Sequence, residues 1–277
     1  MFKTYFCSDT HFNHPNILKY EPARVEAIVD YIVTHQLEYE FLRKLDAIGG
    51  YETYPTPYEL EYDSAVIQQN QDSYDYIFTF CKEILGVNDI VINEEDKDME
   101  CVKENKELQQ KMIGVLLYYQ TEMMVERWNE VVNKDDFVYF LGDFGFRNKQ
   151  GLEEIGRRLN GHKIIILGNH DDIHHNEDGS IKYSSTVEKH FKAAGFERVE
   201  FNPIILKGCF ILSHEPLYYM NESMPYYNIY GHVHSNPIYR TKTENSCCVC
   251  LDRWDYYPIE IEEYNSYEVV EPENYIR

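Results

Sequence analysis

The chain has 277 residues, 43% of them hydrophobic, which is enough to bury a full core as one large domain or as one domain with a sizeable insertion. Its formal net charge is −22, from 26 basic and 48 acidic residues. This acidity argues against a long nucleic acid as the partner, because binding through many phosphate contacts needs a basic surface. A small substrate, or one held by metal ions, remains compatible with the charge.

The cysteines and the first residues indicate a reducing, cytoplasmic setting. Seven cysteines, an odd number spread along the chain, give no disulfide framework. The first residues lead directly into an apolar strand without the hydrophobic region of a signal peptide, and no run is long enough to span a membrane. We therefore expect no membrane association.

The first predicted elements are a strand and a helix. The strand covers residues 4–8, and the loop after it, residues 9–16, is rich in side chains that can bind metals. The helix is predicted to begin at Pro22, because proline is favoured in the first helical turn. Its apolar residues have the i, i+3, i+4, i+7 spacing of one helix face: Val25, Ile28, Val29 and Ile32. The pattern lets this helix run to the paired glycines at residues 49 and 50.

The character of the sequence changes over residues 38–120. This segment carries about half of the net negative charge in under a third of the length, and tyrosines and prolines cluster near its start. Helical patterns occur over residues 72–85 and 98–132. We interpret 38–120 as an acidic, tyrosine-rich, mainly helical insertion into a core formed by residues 1–37 and 121–277. Because it leaves the core just after the ligand-rich loop, it could form a cap that restricts the site to small substrates.

Two similar segments follow between residues 137 and 171. Each is a short, continuously apolar, β-prone run that ends in a glycine and then in polar residues able to bind a metal. These ends read Gly142-Asp143 in the first segment and Gly168-Asn169-His170-Asp171 in the second. A helix predicted over residues 150–159 makes the whole a parallel β-α-β unit. Ligands gather at the carboxyl ends of strands in such sheets, which is where these polar residues fall.

The last third of the chain repeats this arrangement. Strands are predicted near residues 197–201, 209–212 and 228–230, and residues 246–261 alternate like a closing strand. His214 follows the second of these strands, and Gly231-His232-Val233-His234 follows the third. Polar residues therefore end two further strands.

The polar residues at the predicted strand ends form one set: Asp9, His11, Asp143, Asn169, His170, His214, His232 and His234. Carboxylate, imidazole and amide oxygen without thiolate suit divalent or trivalent first-row ions, such as Mn, Fe, Zn or Co, better than a structural zinc finger. The pairs at residues 9 and 11 and at residues 232 and 234 are spaced i, i+2. On an extended chain this spacing places both side chains on one face.

In this order, the motifs D-x-H, G-D, G-N-H-D, a later H and G-H-x-H closely resemble those of the calcineurin-like metallophosphoesterase family. Five short motifs in sequence, each at a predicted strand end, are far more specific than any one alone. The resemblance covers roughly residues 1–37 and 121–277. Residues 128–132 and 251–258 resemble a bacterial and phage subgroup of the family. The resemblance implies a four-layer α/β/β/α sandwich that carries the helical insertion.

The resemblance also implies two metal ions with a shared ligand. One ion would lie between Asp9, His11, Asp143 and His234, and the other between Asp143, Asn169, His214 and His232. Asp143 would bridge, since its two oxygens can serve two cations. The implied activity is hydrolysis of a phosphomonoester or phosphodiester, on a small molecule or nucleotide, by a hydroxide held between the ions. Mn²⁺ is the ion expected to support this activity in vitro. His170 would protonate the leaving oxygen or stabilise charge on the phosphoryl group.

One position departs from a common form of the family, in which the second motif reads G-D-x-x-D-R. Phe146 occupies the place of the second aspartate, so an aspartate that orients His170 in this way is not supported here. Arg147 remains a candidate phosphate clamp. His14, three residues after His11, could reach the substrate or could cap the turn before the next proline.

Two other functions remain open from the sequence. A nuclease acting on nucleic-acid ends would need positive charge concentrated at the site, and five basic residues lie nearby in sequence: Arg147, Lys149, Arg157, Arg158 and Lys163. A non-catalytic scaffold would keep the fold and bind a protein partner through the tyrosine-rich insertion. A degenerate metal motif would be the sign of a scaffold, and here every motif position is filled. The sequence identifies neither the specific substrate nor a protein partner.

Overall fold

A computed structural model describes residues 2–47, 77–87, 99–146, 149–177, 179, 181–217 and 226–260, with residues 47, 99–107 and 109 described by backbone alone. The chain has a mixed α/β fold that contains both parallel and antiparallel strand pairs. Within these residues, no helix combines the length and the apolar character needed to cross a bilayer.

The strands are, in chain order, β1 (Thr4–Cys7), β2 (Phe137–Phe140), β3 (His162–Ile166), β4 (His174–His175), β5 (Ile181–Lys182), β6 (Phe196–Glu200), β7 (Ile204–Leu206), β8 (Phe210–Ser213), β9 (Tyr227–Tyr230), β10 (Ser246–Cys248) and β11 (Ile259–Glu260). The helices are α1 (Ile17–Tyr20), α2 (Pro22–Thr34), α3 (Glu38–Ala47), α4 (residues 77–85), α5 (Met99–Val131), α6 (Lys149–Arg158) and α7 (Ser185–Ala193).

The register of the first sheet brings the predicted strand ends together. Its order is β11-β1-β2-β3-β6, and all neighbours are parallel except β11, which is antiparallel to β1. Cys7 lies opposite Phe140, and Phe140 lies opposite Ile165. Because these three strands end at the same level, the loops that carry Asp9, Asp143 and Asn169 leave the sheet side by side. The predicted parallel β-α-β unit is confirmed.

A second sheet of order β10-β9-β8-β7 supplies the remaining strand ends. Ser213 of β8 lies opposite Tyr230 of β9, so His214 and the 231–234 loop also emerge together. Buried residues of the two sheets form one apolar cluster: Phe6, Leu141 and Ile166 from the first, with Leu212, Ile229 and Cys247 from the second. This shared cluster packs the sheets against each other and aligns their ligand-bearing ends.

Helices cover the other side of the first sheet. Apolar residues of α2, α5, α6 and α7 form a large core with β1, β2 and β3. Residues of the proposed insertion, including Phe41 of α3 and Ile77 of α4, belong to that same core. Helix α5 also runs without interruption across the boundary proposed between residues 120 and 121. The described part of the insertion is helical, as its pattern predicts, and the cap proposed for it falls largely on residues outside the described ranges.

Two expectations about element boundaries are wrong. The helix that begins at Pro22 ends at Thr34, and α3 begins separately at Glu38. Gln36 has a left-handed backbone (φ 56°), which interrupts the helical hydrogen bonds before the glycine pair is reached. The tail is not one closing strand, because it joins the second sheet as β10, turns in a short 3-10 helix (Leu251–Arg253), and returns to the first sheet as β11.

The helical layer depends on Trp128 of α5. Its side chain is only 1% exposed, its ring lies 6.4 Å from the Phe140 ring, and its Nε1 donates to the Asn160 carbonyl at 3.0 Å. We expect Trp128→Ala to lower the free energy of unfolding by about 3–5 kcal/mol, because it opens a large cavity and leaves a partly buried carbonyl without its donor. Chemical denaturation followed by circular dichroism measures this change.

The control for that prediction is Tyr39→Ala on α3, where the tyrosine is 81% exposed. This variant should stay within about 0.5 kcal/mol of the unsubstituted protein. Equal destabilisation by the two substitutions would contradict the packing described for the helical layer.

Candidate metal centre

The loops that carry the ligand-type side chains have unusual backbones. Five of the seven proposed metal ligands have positive φ: Asp9 (61°), His11 (47°), Asp143 (59°), His232 (71°) and His234 (46°). The i, i+2 pairs therefore do not lie on an extended chain, as the spacing suggested, because left-handed residues alternate with ordinary ones and turn both side chains inward. Left-handed backbones at non-glycine residues cost energy and cluster at functional sites.

Glycines allow these loops to approach one another. A Cβ on Gly142 would lie 2.5 Å from the Gly168 backbone nitrogen, and a Cβ on Gly168 would lie 2.3 Å from Asp143 Oδ1. Gly142 also has φ +88°, which side chains rarely adopt. The glycines that end the two apolar runs are therefore required for the second and third strand ends to meet.

The first ligand group consists of Asp9, His11 and His234. The Nε2 atoms of the two histidines are 3.1 Å apart, and Asp9 Oδ1 lies 3.7 Å from His11 Nε2 and 3.6 Å from His234 Nε2. The other carboxylate oxygen, Oδ2, already accepts the His232 backbone N–H at 2.9 Å and the Cys250 thiol at 3.2 Å. Asp9 Oδ1 is buried and has no hydrogen-bond partner.

The second group consists of Asp143, Asn169, His214 and His232. Asn169 Oδ1 lies 2.9 Å from His214 Nε2 and 3.0 Å from His232 Nδ1, and these two nitrogens are 3.2 Å apart. Asp143 Oδ2 lies 3.4 Å from His214 Nε2. All four residues thus present nitrogen or oxygen atoms to one small volume.

Asp143 lies between the two groups through a single oxygen. Its Oδ2 is 3.5 Å from His11 Nε2 in the first group as well as 3.4 Å from His214 Nε2 in the second. Its Oδ1 instead accepts the His170 backbone N–H at 2.8 Å. The sequence suggested a bridge made by the two oxygens separately, whereas in the structure Oδ2 alone faces both groups.

Hydrogen bonds on the far side of two histidines fix which nitrogen faces the site. His214 Nδ1 lies 2.7 Å from the Leu141 carbonyl, which can only accept, so Nδ1 carries a proton. His234 Nδ1 lies 2.7 Å from Asp252 Oδ2 and is a donor for the same reason. Histidines that bind metals typically donate their other N–H to a carbonyl or carboxylate in this way.

The charges in the site are strongly coupled. Burial alone would raise the pKa of Asp9, but the neighbouring His11 and the charges of His234 and His214 lower it well below the ordinary value. Burial likewise opposes ionisation of Asp143, yet His214 lowers its pKa. Burial would lower the pKa of His214, but its contact with Asp143 raises it to about 10. Without a metal, His214 therefore carries the positive charge that the carboxylates attract.

The residues fit metal ions by geometry and by chemistry. Nitrogen and oxygen ligands bind Zn²⁺ at about 2.0–2.2 Å, which places ligand atoms about 3.0–3.6 Å apart around one ion. The separations within both groups, 2.9–3.7 Å, match that spacing. Two imidazole nitrogens at 3.1 Å also repel each other unless a proton or a cation lies between them. The unpartnered Asp9 Oδ1 supplies a free lone pair at the same place.

The candidate catalytic residue His170 lies beside the centre on an exposed position. Its ring is 5.4 Å from the His11 ring, and the Phe146 ring meets it edge-on at 6.1 Å. No carboxylate in the described part of the chain hydrogen-bonds to the His170 ring. The position occupied by Phe146 therefore gives His170 an aromatic neighbour, in agreement with the departure noted in the sequence.

Of the two candidate substrate-binding residues, His14 and Arg147, the structure describes only His14. His14 lies in the site, with its ring 5.2 Å from the His11 ring and 5.6 Å from the His170 ring. Its buried Nδ1 has no hydrogen-bond partner, and burial lowers the pKa of His14 to about 3, so the ring is neutral. Arg147 lies outside the described residues.

A small, open pocket begins at His170. Its wall includes Leu152, Val187 and Phe191, with Lys149 and Asp172 at one side. Lys149 Nζ lies 3.0 Å from Asp172 Oδ2. The pocket therefore offers an apolar surface with a charged pair immediately beside the candidate proton donor.

Asp171 organises the floor of the site, a role that the sequence analysis did not assign. Its Oδ2 accepts the backbone N–H groups of Asp143 and Gly168, both at 2.8 Å, and its Oδ1 accepts that of Phe144 at 3.0 Å. Burial and the charge of Asp143 raise the pKa of Asp171 to about 7, against the effect of these donors. In the sequence, the G-N-H-D motif shows a carboxylate at residue 171. It does not show which backbone N–H groups that carboxylate accepts.

Comparisons with known proteins leave the function open. No family model matches the chain. Over 50 residues, 17% of its length, the chain is 44% identical to an uncharacterized protein of Methanocaldococcus jannaschii, and the match spans 28% of that protein. A crystal structure of a protein of unknown function from Aquifex aeolicus aligns over 96% of this chain and 98% of its own, with 18% identity and a TM-score of 0.43. At these values neither similarity supports a conclusion about activity.

Metal binding should release protons, because His214 must lose the proton on Nε2 before that atom can act as a ligand. Its pKa of about 10 means that the metal-free protein is protonated there at pH 7. We expect at least about one proton to be released per protein when Mn²⁺ binds at pH 7. Affinity should therefore increase as pH rises towards 10. Calorimetry in buffers with different ionisation enthalpies counts the released protons.

The matched test is His214→Asn, which should release about one proton fewer, while His162→Asn, at an exposed histidine paired with Glu197, should leave the count unchanged. Mn²⁺ binding without any proton release would contradict the charge distribution described here.

Proposed function

We propose that this protein is a dinuclear metal-dependent phosphoesterase that hydrolyses a phosphomonoester or phosphodiester of a small molecule or nucleotide. The observation that carries the proposal is the position of Asp143 Oδ2, which faces both ligand groups at 3.4–3.5 Å. The resemblance of the five motifs to the calcineurin-like metallophosphoesterases agrees with it. The four-layer α/β/β/α sandwich and the bacterial or phage subgroup belong to the same proposal.

Each proposed metal would be held by four side chains. The first set is Asp9, His11, Asp143 and His234, and the second is Asp143, Asn169, His214 and His232. When bound, two such ions polarise phosphoryl oxygens and lower the pKa of water enough to provide a nucleophile near neutral pH. Mn²⁺, Fe, Zn²⁺ and Co²⁺ all accept this mixture of carboxylate, imidazole and amide oxygen.

The remaining residues of the site would bind and protonate the substrate. His170, exposed beside the first group, is placed to donate a proton to the leaving oxygen. His14 is neutral and has an unpartnered Nδ1, so it can hydrogen-bond to a phosphoryl oxygen. The pocket that begins at His170 would receive the ester group. The phosphate clamp proposed for Arg147 stays a prediction.

The described basic residues do not favour the nuclease alternative. Lys163 is buried and donates to the Leu159 carbonyl, so it is not at the mouth of the site. Arg158 pairs with Glu122 through both terminal nitrogens, and Arg157 donates to the Ala193 carbonyl. Lys149 is paired with Asp172, so all four side chains already contact carboxylate or carbonyl groups of the protein itself. A small phosphorylated substrate therefore remains the preferred proposal, in a protein that we expect to be cytoplasmic.

The proposal predicts metal-dependent turnover that needs two particular residues. With added Mn²⁺, the purified protein should hydrolyse an aryl phosphate or a bis-aryl phosphate. Asp143→Asn should remove both bound metal and turnover, because the shared carboxylate is lost. His170→Ala should retain metal and lower kcat by about 10²–10⁴-fold, the usual contribution of a general acid. Initial rates together with metal analysis of the same samples separate the two effects.

The control substitution is His162→Ala, at an exposed histidine that contacts Glu197 and Phe137 rather than the site. It should leave rate and metal content unchanged. A metal-replete protein that is inactive on monoesters, diesters and nucleotides would contradict the phosphoesterase proposal. A copurifying partner from the native host, together with no bound metal, would favour the scaffold alternative.

A further inference from the structure

A buried arginine lies directly behind the first ligand group. Arg24, near the start of α2, has a completely buried side chain, which is uncommon for arginine. Its Nη1 donates to the Thr10 carbonyl at 2.9 Å and its Nη2 to the Asp9 carbonyl at 3.1 Å. These carbonyls belong to the left-handed loop that presents Asp9 and His11. One guanidinium therefore fixes the backbone that carries two of the three ligands.

The same guanidinium fixes the third ligand through Asp252. Arg24 Nε and Nη2 both donate to Asp252 Oδ1, at 2.9 and 2.6 Å, and Nη2 also reaches Oδ2 at 2.8 Å. Asp252 Oδ2 in turn accepts from His234 Nδ1 at 2.7 Å. This leaves the His234 Nε2 lone pair directed at His11 and Asp9. The fork of the guanidinium is needed, since a single ammonium group cannot reach both the carboxylate and the two carbonyls in this geometry.

Asp252 also belongs to a third cluster of ligand-type side chains. Glu21, His234 and Asp252 could hold a cation by distance. The Asp252 carboxylate, however, already accepts hydrogen bonds from Arg24 and from His234 Nδ1. The positive charge of the guanidinium balances the charge of the carboxylate. We therefore interpret the Asp252 carboxylate as the group that orients His234.

Burial of this charged pair contributes little net stability. Taking a guanidinium and a carboxylate out of water costs much of what their attraction returns, so a buried pair is weak support for stability by itself. Most of the α2 face around Arg24 is apolar, with Val25 and Ile28 fully buried. An apolar side chain could fill such a position, but it could not hold the loop or the histidine.

We propose that Arg24, acting through Asp252 and through the carbonyls of Asp9 and Thr10, is the positioning residue for the metal group Asp9, His11 and His234. The inference rests on the metal centre of the proposed function. It assigns Arg24 to the first ligand group and not to the second. The second group is oriented differently, by the Leu141 carbonyl on His214. Loss of Arg24 should therefore weaken one metal site and spare the other.

The test is Mn²⁺ binding to the full chain, followed by electron paramagnetic resonance and metal analysis. The unsubstituted protein should bind two ions that give a spin-coupled signal. Arg24→Lys and Asp252→Asn should each bind one ion with unchanged affinity and the second about 10–100-fold more weakly, the usual effect of losing an outer partner of a metal ligand. The coupled signal should then give way to that of an isolated ion.

Arg127→Lys is the matched control. Arg127 and Arg24 lie over the same Tyr256 ring, at 5.7 and 5.6 Å, but Arg127 donates to the Asp255 carbonyl outside the site. This control should bind two ions as the unsubstituted protein does. In a His214→Gln background, which removes one imidazole of the second group, Arg24→Lys should still weaken the first site.

Three results would overturn the inference. They are normal binding of both ions in either folded variant, equal weakening of both sites, and an identical loss in Arg127→Lys. If Arg24→Lys does not fold, Asp252→Asn decides, because it keeps the guanidinium and its bonds to the carbonyls. Two ions bound without turnover on any phosphate ester would contradict the phosphoesterase proposal and leave the role of Arg24 intact.

Discussion

The structure depends on the convergence of buried electron-rich atoms around Asp143 Oδ2. Two carboxylates, four imidazole nitrogens and an amide oxygen meet there, with neighbouring ligand-type atoms 2.9–3.7 Å apart. Without a cation, the protein can balance these lone pairs only by keeping protons on histidines such as His214, whose pKa is raised to about 10. A divalent ion would neutralise the same lone pairs and negative charges through shorter and stronger contacts. Proton and metal therefore compete for one place, and this competition links the electrostatics of the fold to its proposed chemistry.

The rest of the fold serves to bring these atoms together. Parallel strands in matched register end at one level, and the apolar cluster between the two sheets brings the ends of β8 and β9 to the same edge. The loops then turn inward through left-handed residues, and glycines without side chains let the loops touch. Asp171 joins two of these loops by accepting three backbone N–H groups, and Arg24 holds the loop at Asp9 and Thr10 by donating to two carbonyls. The strained backbone is thus supported by buried charged side chains.

The sequence predicts which ligand-type side chains converge, because that information is local. Each ligand follows a short apolar run, and strand ends in α/β sheets gather ligands by topology alone. The supports could not be predicted in this way. Arg24 is 228 residues from Asp252, and the helical pattern around it gave no reason to expect a buried charge. The break after Thr34 depends on the left-handed Gln36, and the division of the tail between two sheets depends on a 3-10 turn, neither of which has a strong sequence signal.

We propose that both ligand groups hold metal and share Asp143. Anomalous diffraction from crystals grown with Mn²⁺ tests it most directly, because it locates the ions without reference to activity. We expect two peaks about 3.5–4 Å apart. One should lie among Asp9, His11 and His234 and the other among Asn169, His214 and His232, with Asp143 Oδ2 between them. Crystals that show no peak there, or peaks at other acidic groups only, would contradict a shared two-metal centre.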